Sequence, residues 1–128
     1  MKRKTLEIYA LVVCFASIVT LIISLGIGIY SAVKVIKPGL TISAHTFRTY
    51  QSNEKFRDLE LRSEKNKRYA NISDAALTKM RLDSWNIELG MEKRRGFQSF
   101  TQASIFVVIG LIVFLLHWRM AKREKETQ

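Results

Sequence analysis

The side chains that bind metals or attack substrates are few in this sequence and far apart. His117 sits at the end of an apolar run, where an imidazole can ligate haem or a metal ion. A complete site would need a second ligand at the same depth, and neither apolar run of the chain contains another His or any Asp or Glu. Trp118 and Arg119 beside it instead mark a membrane–water boundary. His45 is equally isolated, and the single cysteine, Cys14, reads as a small apolar side chain within the first run. No metal-ligand spacing, nucleophile–base set or phosphate-cradling glycine loop appears. An enzyme is therefore not expected, nor a metal, a cofactor or a small-molecule substrate.

What would position any functional group here is a pair of apolar segments. Residues 8–33 and 96–118 contain no Asp, Glu, Lys or Arg. A helix needs about 20 apolar residues to cross a bilayer, so each suffices. Tyr9 and Tyr30 fall near the ends of the first, Lys34 and Lys37 mark its exit, and Pro38-Gly39 breaks the helix beyond. Its apolar length exceeds that of a cleaved signal peptide, so an uncleaved anchor is expected. The second has its polar residues (Gln98, Ser99, Thr101, Gln102, Ser104) in its first third and a dense aliphatic stretch from Ile105 to Leu116.

The net charge of +10 is spread over both tails and the middle segment rather than gathered on one soluble face, which argues against nucleic acid as a partner. Basic residues flanking the runs (Lys2, Arg3, Lys4, Lys93, Arg94, Arg95, Arg119, Lys122, Arg123) are expected to touch anionic lipid head groups. Charge is nearly balanced between the two sides. The Met-Lys-Arg-Lys start tips it, placing both termini in the cytoplasm and residues 34–95 outside, in a bacterial inner (plasma) membrane.

Ala16, Thr20, Ser24, Gly28 and Ala32 recur every four residues on the first run, with Gly26 beside them. Small residues on one helix face permit close approach of another helix. This stripe is expected to pack on a partner, either the second run (through Ala103 and Gly110), another copy or a different membrane protein.

Between the runs, Leu40, Ile42 and Ala44 alternate with polar residues like a short strand or extended stretch. Residues 52–68 read as a helix capped by Ser52, with Phe56 and Leu59 on one face and Asp58–Arg62 and Glu64–Arg68 as i,i+4 pairs. Residues 66–72 form the turn. Ser73 or Asp74 caps a further helix with Leu77, Met80, Ile87 and Met91 in register, running on into the second apolar run with bends at Gly90 and Gly96. Residues 85–91 also alternate as a strand would, but Leu82, Trp85 and Leu89 form a second helical face, so helix is expected there.

The expected fold is an all-α membrane protein, with two transmembrane helices joined by a mostly helical extramembrane segment of about 60 residues. It divides into a basic tail 1–7, helix 8–33, segment 34–95, helix 96–118 and basic tail 119–128. The leading functional expectation is a non-enzymatic accessory, assembly or regulatory subunit of a larger membrane complex, whose partners are the lipid bilayer and another membrane protein or itself. The alternatives are a self-associating pore, with Gln98, Ser99, Thr101, Gln102 and Ser104 lining one mouth, and a partner-dependent envelope sensor.

Overall fold

The computed structural model describes residues 2–62 and 72–126, with side chains described for 5–59 and 72–123. Among these the chain is all-α: α1 (Lys2–Ile36), a 3-10 turn (Pro38–Leu40), α2 (Ala44–Thr49), α3 (Asn53–Arg62) and α4 (Asp74–Glu126). Two compact units result. One joins residues up to Ala32 with those from Phe97 on, and the other spans Val33–Gly96.

The first unit is an antiparallel helix pair. Gly28 faces Ala103, Leu21 faces Gly110, and the Cys14 thiol lies 3.9 Å from the Phe114 carbonyl, so partners run in opposite order. On α1 the inward positions are Ala10, Cys14, Ser17, Leu21, Ser24, Gly28 and Ser31, alternating four and three apart. On α4 they recur every seven, as Ala103, Gly110 and His117 and again as Val107, Phe114 and Ala121. That average of 3.5 is the repeat of left-handed helix packing, in which a seam keeps facing its partner. Leu21, Phe114 and His117 excepted, the α1 residues and their α4 counterparts are small or slender, which lets the backbones approach closely.

Away from the seam both helices expose large apolar side chains, including Phe15, Ile22 and Ile29 on α1 and Ile105, Ile109 and Ile112 on α4. The stretches Thr5–Ile36 and Asp74–Arg123 are each long and apolar enough to cross a membrane.

The second unit is built from short capped pieces. Pro38 opens the 3-10 turn, where a missing N–H costs nothing. Ser43 caps α2 by accepting from the Thr46 N–H at 3.2 Å. These two local signals override the alternation of Leu40, Ile42 and Ala44, and the expected strand is replaced by the turn and the start of α2. Ser52 Oγ accepts from the Lys55 N–H at 3.3 Å, and α3 begins at Asn53. Ser73 Oγ accepts from the Ala76 N–H at 3.4 Å, and α4 begins at Asp74. The expected pairs Asp58–Arg62 and Glu64–Arg68 and most of the turn at 66–72 fall outside the described side chains.

Helix α4 runs unbroken through residues 85–91, so the strand alternative there is excluded, and it continues helical through Gly90 and Gly96. Its inward side takes residues from both expected faces. Leu77 is buried and Met80, Trp85 and Leu89 are half-buried, whereas Ile87 and Met91 are exposed. Phe56 is almost wholly buried, its ring 5.6 Å from that of Tyr50, which in turn lies 5.6 Å from Trp85. Leu59, expected on the same face, is exposed.

Candidate helix-packing site

The structure divides the four-residue stripe. Ser24 is buried, and Gly28 and Ala32 are half-buried on the side facing α4; Ala16 and Thr20 are exposed. The reason is geometric. Four residues advance a helix by about 400°, so each step drifts about 40° and the four steps of the stripe turn it by about 160°, off the face. The seam holds its direction by alternating four with three, and so takes in Ser17 and Leu21 instead. The signal for this in the sequence is the run of small residues Ala10, Cys14, Ser17, Ser24, Gly28 and Ser31 read at a 3.5 period.

Both α4 residues expected in the packing lie in the seam. Ala103 is buried, and a methyl placed on Gly28 would meet its Cβ at 3.7 Å, an ordinary contact. Gly110 is tighter: a methyl there would lie 3.0 Å from Leu21 Cδ2 and 4.0 Å from the Ser17 carbonyl oxygen. Several hydroxyls along the helices bond within their own helix. Ser17 donates to the Val13 carbonyl at 2.8 Å, Thr20 to Ala16 at 2.9 Å, Thr101 to Phe97 at 3.0 Å and Ser104 to Phe100 at 2.9 Å. Such bonds remove the cost of a hydroxyl in an apolar medium. His117 is held in the same way, with Nδ1 2.8 Å from the Val113 carbonyl and its ring edge-on to Tyr9 at 5.9 Å.

Two open grooves flank the seam near Ser24 and Ala103. One, of about 390 Å³, is bounded by Leu25, Gly28, Ile29, Phe100, Ser104 and Val107. The other, of about 120 Å³, runs past Ile27, Ser99, Gln102 and Phe106. Both exist because the residues between them are small.

Of the basic residues expected at head groups, Lys93, Arg94, Arg95, Arg119, Lys122 and Arg123 are exposed. The side chains of Lys2, Arg3 and Lys4 lie outside those described. Sequence reasoning missed charge contacts in the second unit: Arg57 Nη2 lies 3.0 Å from Asp74 Oδ1 at the surface, and a more buried pair forms around Glu92. Glu92 is buried, its carboxylate 3.2 Å from Lys34 Nζ and 3.7 Å from Arg95 Nη1. Nothing in the local pattern around Glu92 announces a cation so distant in the chain.

His45 is exposed on a cleft of about 450 Å³ that Arg48, Lys55 and Asp58 also line, with Thr49 donating to the His45 carbonyl at 3.1 Å. Among the described residues no three His, Cys, Asp or Glu side chains come together as a metal site. No family model, no curated protein and no solved structure matches the chain.

Proposed function

We propose that the chain is a two-span integral membrane protein that serves as a non-enzymatic accessory, assembly or regulatory subunit of a larger membrane complex. The observation carrying this reading is the distribution of apolar surface. Large aliphatic and aromatic side chains stand exposed along α1 and α4 on the sides that the seam does not use. In water such surface would drive aggregation; in a bilayer it is at home, and its backbone is satisfied within each helix. The small-residue seam accounts for one face of each span, and the grooves beside it offer side-chain-sized recesses to a neighbouring helix.

The second unit supplies the other contact surface. Phe47, Tyr50, Gln51, Leu82 and Trp85 border an open groove of about 200 Å³. In this reading the basic N-terminus stays cytoplasmic, in a bacterial inner (plasma) membrane, and the Val33–Gly96 unit lies outside.

The test is purification of the tagged full chain from washed membranes in mild detergent, with mass spectrometry of what remains bound. A stoichiometric foreign membrane protein is expected. Recovery of the chain alone would overturn the accessory reading, and release by alkaline wash would overturn the membrane reading.

A further inference from the structure

The side of α4 turned away from the seam carries a second regular repeat. Gln98, Gln102, Ile105, Ile109, Ile112 and Leu116 follow one another four and three apart, and all are exposed. Ile105 stands about 200° around the helix from Ala103, so the isoleucines point away from α1, while Gln102, about 100° from Ala103, lies at the edge of this face and also borders the groove with Ser24 and Ile27. An alternating four–three repeat with successive β-branched residues is a helix-pairing pattern, and polar residues within it set register.

The two glutamines differ from the two hydroxyls beside them. Thr101 and Ser104 bond the carbonyl four residues back. Among the described residues, neither Gln98 nor Gln102 has a side-chain hydrogen-bond partner. Ala103 lies level with Gly28, and the apolar run of α1 continues to Val33, so Gln102 sits about 6 Å inside its end. A carboxamide there has two donors and an acceptor to satisfy where water is scarce.

We propose that this face is where two copies of the chain meet, α4 beside α4 and parallel, with Gln98 and Gln102 each bonded to the same residue across a twofold axis. The inference rests on the membrane-spanning reading above. Copies inserted by the same route share one orientation, so a symmetric pair sets identical residues at the same depth. A carboxamide is self-complementary, its oxygen accepting from the other copy's amide while its amide donates in return. A foreign helix would need a matching group at this depth; a second copy has one automatically. Below the glutamines the isoleucines close the interface dry, so the pair is not a water-filled pore.

The test uses the full chain in membranes with Cys14→Ser and single cysteines placed in turn at positions 98–112. Oxidative cross-linking is expected to peak at 98, 102, 105, 109 and 112, several-fold above 101, 103 and 107. Adding Gln102→Leu is expected to lower the yield at 109 at least threefold. A flat profile, peaks on another face, capture of a foreign chain in place of a second copy, or indifference to Gln102→Leu overturns the pairing. With the chain retained through alkaline wash, those results overturn the pairing alone; loss from the membrane overturns both readings.

Discussion

Leu21 lies directly on the bare backbone of Gly110, its Cδ2 and Cγ within 3.0 and 3.1 Å of where a methyl on that glycine would be. No other glycine for which neighbours are resolved is so close. Gly28 has 3.7 Å of clearance to Ala103, and Gly26 faces open space. The three therefore form a graded series. Gly26→Ala and Gly28→Ala should leave the thermal midpoint of the detergent-solubilised protein unchanged or slightly raised, since alanine is the better helix former. Gly110→Leu should lower stability by about 1–3 kcal/mol through overpacking. Equal effects at all three positions would mean that the pair is not packed on this seam.

The ion pair of the second unit makes a different prediction. Glu92 is nearly buried between Lys34 and Arg95, while Lys34 keeps partial contact with solvent. Removing one partner of a buried pair strands the other, whereas replacing both with apolar groups often costs little. Glu92→Ala should destabilise the unit by about 1–3 kcal/mol, less than a fully buried pair because Lys34 can still reach water. Lys34→Met combined with Glu92→Leu should recover most of that loss. Hydrogen exchange of the second unit reads the difference, and a double variant no better than Glu92→Ala would show the charges to be indispensable.

How much of this was legible in the sequence depends on the range over which each feature acts. The long apolar helices were readable because continuous apolar length is a local property. So were the helix starts after Ser52 and Ser73, where a hydroxyl meets an N–H three residues on. The packing face was legible in kind but not in phase. Small residues marked α1 as a packing helix, yet a strict four-residue count carried the stripe to the exposed Ala16 and Thr20 and past Ser17 and Leu21. The inward side of α4 was left open between two faces for a related reason. Ile87 and Met91 are apolar and helically spaced, as are Trp85 and Leu89, and it is Phe47 and Tyr50 that select Trp85. Which face of an apolar helix turns inward is decided by what it meets, and the Glu92–Lys34 pair was hidden for the same cause.

That aromatic cluster yields a further contrast. Phe56 is almost wholly buried beside Tyr50, whereas Leu59 one turn on is exposed. Phe56→Ala should cost about 3–5 kcal/mol, enough to disorder a unit this small. Leu59→Ala should stay within about 0.5 kcal/mol. Trp85 touches both Phe47 and Tyr50, so with Trp118 replaced by Phe its emission reports the outcome. A red shift is expected for Phe56→Ala and none for Leu59→Ala; the reverse order would place the core of this unit elsewhere.

Cys14 offers a probe of the seam that needs no added label. Its side chain is buried against α4, with Sγ 3.9 Å from the Phe114 carbonyl, so a maleimide reaches it only when the helices part. If opening and closing are fast compared with alkylation, the labelling rate follows the population of the open form. The destabilisation expected for Gly110→Leu, about 1–3 kcal/mol, then translates into labelling faster by roughly five- to 150-fold. Gly26→Ala should leave the rate unchanged, because nothing lies against Gly26. Cys14→Ser should fold normally, since a serine there can donate to the Ala10 carbonyl as Ser17 does to Val13, whereas Cys14→Leu should pry the pair apart. Thiol reactivity in micelles that is immediate in the unaltered chain, or indifferent to Gly110→Leu, would show that Cys14 and Gly110 do not share one closed seam.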